Sequence, residues 1–120
     1  MATYLVDAVA RSNFELWTNT MVERVMRNGS EATGLAISAG GVGGHSGIVN
    51  LSGKDGIILS AGAFGTPKLL FRSGIGPRDQ LEIVKQAEGD RMIDESEWID
   101  LPVGYNLVDN INVSLLGPQH

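Results

Sequence analysis

The sequence predicts a mixed α/β fold of the α+β kind, with a small antiparallel meander, one parallel-type strand buried on both faces, and short helices. Three observations predict it. Short apolar runs with strand character follow one another between Gly-rich breaks. Residues 60–76, SAGAFGTPKLLFRSGIG, order small, capping and apolar side chains as a strand-to-helix junction requires. The third is composition: 42% hydrophobic residues and a formal charge of −5 over 120 residues suit a globular chain with a modest core.

The elements follow in order. ATYLVDAVAR, residues 2–11, has apolar residues at helical spacing and stops at Ser12-Asn13, the tail of a helix. FELWT, MVERVMR, EATGLAIS, GIVNL and GIILS then read as strands, separated by Asn28-Gly29, by the glycines of 40–44 and by Lys54-Asp55-Gly56. MVERVMR alternates apolar and charged residues, as a ribbon with one wet face does. GIILSAGA is apolar without alternation, the mark of a strand covered on both sides. After it, Thr66 is a good N-cap, Pro67 a good first helical residue, and Gly74 suits the position just past the C-cap. Gly76-Pro77 then prevents continuation. The acidic stretch KQAEGDRMIDESEW, residues 85–98, reads as a surface excursion.

Composition also excludes function classes. An acidic balance without a Lys/Arg cluster argues against nucleic acid, whose affinity rests on cations that neutralise phosphates. No apolar run approaches the roughly 20 residues that span a bilayer, and the N-terminus lacks the basic start and long apolar run of a leader, so no membrane partner is expected. Cysteine is absent, which removes disulfides and thiolate chemistry. The carboxylates of Asp94, Glu95, Glu97 and Asp100 form no metal-ligand spacing and read as a solvated face, so no metal is expected. His45, in a Gly-rich turn, and His120, the last residue, read as exposed and carry no assigned role. Asn28-Gly29-Ser30, Asn50-Leu51-Ser52 and Asn112-Val113-Ser114 fit the N-glycosylation acceptor pattern and suggest an extracellular parent.

Ala61, Gly62 and Ala63 are small enough for a flat group to approach the backbone, and a helix N-terminus beside them attracts anionic oxygens such as a pyrophosphate. Two readings fit this arrangement, a capped junction of any α/β protein or a cofactor contact, and spacing alone does not choose between them.

The run Gly62-Ala63-x-x-Thr66-Pro67-x-Leu69-Leu70-x-x-Ser73-Gly74-Ile75-Gly76 resembles the second signature of the glucose-methanol-choline (GMC) flavin-dependent oxidoreductases. DLPVGYNLVDN, residues 100–110, resembles the family's next landmark. The segment from Ala2 to Ser30, residues 58–66 and the Asp109-Asn110 pair are similar to the flavin domain of fungal cellobiose dehydrogenases. The resemblance implies FAD as cofactor and a partial FAD-binding fold over residues 1–76, with residues 77–120 leading into a substrate domain. It implies a backbone contact from Val22 to adenine, a wall at Ser60, Ala61 and Gly62 against which FAD passes, and Asn110 near the active-site edge. The family's G-x-G-x-x-G turn is absent, and the catalytic histidine belongs to a later part of a longer chain. The implied parent oxidises a small-molecule alcohol, often a sugar such as cellobiose, by hydride transfer to FAD, and this chain by itself is expected to be inactive. The alternatives are a small secreted β-rich binding module and a non-catalytic remnant of a truncated gene.

Overall fold

The computed structural model describes residues 2–109. Helix α1 spans Ala2–Val9, and three strands follow, β1 (Thr20–Asn28), β2 (Glu31–Ala39) and β3 (Gly47–Asn50). Helices α2 (Gly62–Arg72) and α3 (Arg78–Glu88) come next, then single 3-10 turns at Gly89–Arg91 and Glu95–Glu97. The strands form an antiparallel sheet in the order β1-β2-β3. The mixed class, the meander and the short helices are thus those the sequence predicts.

The β1–β2 register runs from Thr20 opposite Ala39 to Asn28 opposite Glu31, with shifts between Val22 and Arg24 and between Met26 and Arg27. The first shift leaves Glu23 over, and a bulged residue is free to aim its side chain out of the regular pleat. Glu23 uses that freedom: its carboxylate accepts from Ser38 Oγ on one side and from Arg72 Nη1, at 3.1 Å, on the other.

Sheet and helices meet at a small core of Val25, Leu81 and Met92, with Arg72 and Ser73 buried among them. Ser73 Oγ accepts from the Val25 N–H at 2.8 Å and donates to the Leu69 carbonyl at 2.6 Å, joining β1 to α2. The Arg27 guanidinium donates to the carbonyls of Ser73, at 3.0 and 2.8 Å, and Glu97, at 2.6 Å. It thereby places a cation where the α2 carbonyls end, a favourable end of the helix dipole. Burial lowers the Arg27 pKa and Glu97 works against that shift.

Helix α2 ends as its sequence predicts. Gly74 has φ of +71°, its N–H donates to the Phe71 carbonyl at 2.9 Å, and the Ile75 N–H donates to the Leu70 carbonyl at 2.9 Å. These are the paired bonds of a Schellman stop.

Three expectations are corrected. Residues 57–60 form no strand and Ile58 is 93% exposed. A strand buried on both faces exists only between neighbours, and the described residues place none beside it. FELWT likewise joins no sheet. Among the described residues parallel pairing occurs instead at a single bridge, Ile75 with Ile99, where the Gly76 N–H donates to the Ile99 carbonyl at 3.0 Å. Secondly, α2 begins at Gly62, so Thr66 is not its N-cap and Pro67 lies within the helix. The Thr66 hydroxyl reaches back and accepts from the Ala61 N–H at 3.0 Å, which stabilises a turn ahead of the predicted cap. Thirdly, residues 85–98 are not a loose excursion. Met92 is buried, the Ile93 N–H donates to the Arg72 carbonyl at 3.0 Å, and Arg24 Nη1 donates to the carbonyls of Asp90 and Arg91. The acidic side chains of Asp94 and Glu95 still face solvent.

Candidate functional site

The turn at residues 60–61 and the first residues of α2, 62–64, are all exposed, Phe64 at 79%. Gly62 has φ of +84°, where L side chains are strained, and a Cβ built on it would meet nothing within 4 Å. The space over this backbone is therefore open, and the conformation favours glycine. The N-cap residue Ala61 supplies no side-chain cap. The first amides of a helix have no intrahelical acceptor, so an uncapped, exposed start presents donors and a partial positive charge outward. Ser60, Ala61, Gly62 and Ala63 add no ionisable side chain, and the chemistry such a surface offers is binding.

Beside the turn lies an apolar cavity of about 270 Å³, with Ala63, Phe64, Pro67 and Phe71 of α2 facing Val84 of α3 and Leu107. Lys68 and Glu88 stand at its rim, 4.0 Å apart. Glu88 also accepts from Arg72 Nε in a short hydrogen bond and from Nη2 at 3.1 Å. The hydrogen bond from Arg72 holds the Glu88 carboxyl below the ordinary range, burial opposing it.

Val22 occupies a different place. It is half-buried on β1 and lines a cavity of about 340 Å³ with Glu15, Trp17, Thr20, Leu35, Ile37 and Val49. Trp17 donates its Nε1–H to Glu15 in a short hydrogen bond and stacks on His45 at a centroid distance of 4.5 Å. The stack is set by the start of β1. Asn19 has φ of +51°, its carbonyl accepts from the Gly40 N–H at 2.7 Å, and its Nδ2 donates to the Val42 carbonyl at 2.9 Å. These bonds fold the Gly-rich turn over the strand. Sequence reasoning missed Trp17, whose partner is remote in the chain; the signal available was an aromatic just ahead of a strand.

The site residues predicted from sequence are thus only partly brought together. Ser60, Ala61 and Gly62 form one exposed turn, Val22 lines a separate cavity, and Asn110 lies outside the described residues. Among the described residues no group of three or more His, Asp or Glu side chains is placed to hold a metal ion, and no helix is long and apolar enough to cross a membrane.

The fold is thus a mixed α/β scaffold with an exposed backbone turn at the uncapped start of α2. The model described as GMC oxidoreductase matches residues 1–112, and the chain belongs to that family. It is 34% identical over 119 residues to the glucose-methanol-choline family oxidoreductase mfmG of Annulohypoxylon moriforme, covering 95% of this chain and 17% of that protein. It is 33% identical over 111 residues to an oxygen-dependent choline dehydrogenase of Burkholderia thailandensis, covering 92% of this chain and 17% of that one. A solved FAD-dependent oxidoreductase of Chaetomium thermophilum matches 66% of this chain and 13% of its own, with a TM-score of 0.55 and 30% identity. The chain therefore spans about 17% of the length of these curated relatives.

Proposed function

We propose that this chain forms part of the FAD-holding wall of a GMC oxidoreductase acting on an alcohol carbon. The observation that carries the reading is the uncapped start of α2 behind Gly62, within the residues the family model matches. The residues fit a cofactor offering phosphate oxygens or a ring edge. Gly62 has no Cβ and open space beside it, Ala61 and Ala63 carry only methyls, and the first α2 amides have neither a side-chain cap nor an intrahelical acceptor. Bound FAD supplies the acceptor for the hydride that leaves the alcohol carbon.

In this reading Ser60, Ala61 and Gly62 exclude side chains from the cofactor's path, and Val22 meets the adenine end through its backbone. Asn110 stands toward the active-site edge. Residues 1–76 belong to the cofactor domain, and residues 77–120 lead into the substrate domain. The substrate class is a small alcohol. Choline relatives and the resemblance to cellobiose dehydrogenases support an amino alcohol and a sugar respectively. The acceptor patterns at Asn28 and Asn50 support a secreted, glycosylated parent.

Flavin content tests the wall. In the full-length parent, Gly62→Val should abolish flavin retention. Gly62→Asn, which tolerates positive φ while filling the open space, should lower retention with folding kept, and Lys54→Ala should leave it unchanged. Val22→Pro should weaken it by removing an N–H. A fully flavin-loaded, normally folded Gly62→Asn protein would move the wall elsewhere.

A further inference from the structure

Two of the three Asn-x-Ser patterns lie among the described residues, and the fold treats them differently. Asn28 ends β1 and leads into the two-residue loop Gly29-Ser30, with Glu31 paired across its foot. Asn28, Gly29 and Ser30 are all exposed. The bonds that steady the loop fall on the Gly29 backbone: its N–H donates to Glu97 Oε2 at 2.9 Å and its carbonyl accepts from Arg27. Among the described residues the Asn28 carboxamide and the Ser30 hydroxyl have no hydrogen-bond partner.

Asn50 is exposed too, but it is the last residue of β3, opposite Gly34, and the Leu51 N–H donates to the Thr33 carbonyl at 2.9 Å. Sheet pairing therefore runs through the middle of its acceptor pattern. The hydroxyl the pattern requires is also committed: Ser52 donates both its N–H and its Oγ–H to Asp55 Oδ2, each at 2.8 Å. Such a contact between near neighbours needs no tertiary structure and forms in a nascent turn.

The geometry points to Asn28 as an N-glycan acceptor and to Asn50 as a much poorer one. This rests on the reading that the parent enters the secretory pathway. The co-reactant is an oligosaccharide carried on a lipid diphosphate. The Asn28 carboxamide nitrogen attacks the anomeric carbon, the carbon–oxygen bond to the diphosphate breaks and a carbon–nitrogen bond forms. One carboxamide proton is released to base, the lipid diphosphate leaves, and nothing is oxidised or reduced. The free Ser30 hydroxyl and the loop position make Asn28 reachable in the chain and leave the glycan clear of the sheet afterwards.

The full-length parent, placed behind a cleavable secretion leader in yeast, provides the test. Glycan is removed by peptide N-glycosidase in heavy-oxygen water, and the labelled asparagines are located by mass spectrometry. Asn28 is expected to carry several-fold more label than Asn50. Ser30→Ala should erase the Asn28 label, and Asp55→Ala should raise that of Asn50 by freeing Ser52. An unlabelled Asn28, or equal occupancy at the two sites, overturns the proposal. Because the leader is supplied, this result is independent of natural secretion, which is read separately by searching the parent organism's culture medium for the protein.

Discussion

Arg72 is almost wholly enclosed, its side chain 8% exposed, and it divides its guanidinium between Glu23 of β1 and Glu88 of α3. Its hydrogen bond to Glu88 raises the Arg72 pKa, with burial acting against it. Removing one partner of an enclosed pair strands the other, so Glu88→Gln should cost about 1–3 kcal/mol, Glu23 retaining part of the interaction. Lys68, 61% exposed and 4.0 Å from Glu88, should matter far less, about 0–0.5 kcal/mol for Lys68→Ala. Both are read from denaturant midpoints. The pH dependence follows from the depressed Glu88 pKa. A carboxylate held below its unfolded value contributes fully above that value, about 4.3, and its contribution fades as pH falls through the lower folded value. Stability should therefore fall on acidification below about pH 4, and Glu88→Gln should flatten that part of the profile. An unchanged acid slope in the variant would remove Glu88 from the account.

Helix α2 separates what local chemistry decides from what tertiary structure decides. Its C-terminal stop was legible because glycine alone satisfies the requirement there: Gly74 is at φ +71°, and a Cβ would lie 2.5 Å from Ile93 Cγ2 and 2.9 Å from Trp98 Cδ1. Gly74→Ala combines left-handed strain with overpacking and should cost about 2–4 kcal/mol by thermal or chemical melt. The N-terminal start was misread because Thr66-Pro67 obeys the capping rule locally, while the Thr66 hydroxyl is used by Ala61. Pro67 consequently sits at the sixth residue of α2, where it withholds an amide from Ala63. Pro67→Ala should raise stability by about 1–2 kcal/mol and increase helical ellipticity, less than the roughly 3 kcal/mol of a deep interior proline because the ring also packs in the apolar cavity. Residues 57–60 failed as a strand for the converse reason, since pairing depends on neighbours that local pattern does not supply. Of the candidate site, the small residues at 60–62 were readable as an open turn, while a cofactor role for them came only from the family resemblance. The stacking of Trp17 on His45 was not readable, because it depends on Asn19 folding the Gly-rich turn back over β1.

The whole molecule is open. Its Cα radius of gyration is 18.4 Å, against about 13–14 Å for a compact domain of this length. Among the described residues only Val25, Leu81 and Met92 are buried hydrophobics, while Tyr4, Val6, Ile58, Phe64 and Val108 are strongly exposed. So much bare apolar surface, with β3 offering an open edge, favours association over a stable monomer. Expressed alone, the chain should melt broadly, tend to aggregate, and neither retain added FAD nor reduce a dye with cellobiose or choline. Flavin fluorescence, dye turnover and a thermal melt check this together. A sharp cooperative melt without flavin would favour the independent binding module instead.

The hydroxyl of Ser73 gives this open assembly a built-in reporter. The Val25 amide points away from β2 and rests on Ser73 Oγ, so its proton is shielded from solvent only while α2 lies against the sheet. Its isotope-exchange rate therefore measures how often the helical layer lifts off. In the chain alone that proton should exchange much faster than amides bonded between β1 and β2. In a longer parent the two classes should converge, and Ser73→Ala should separate them again without disturbing the hairpin.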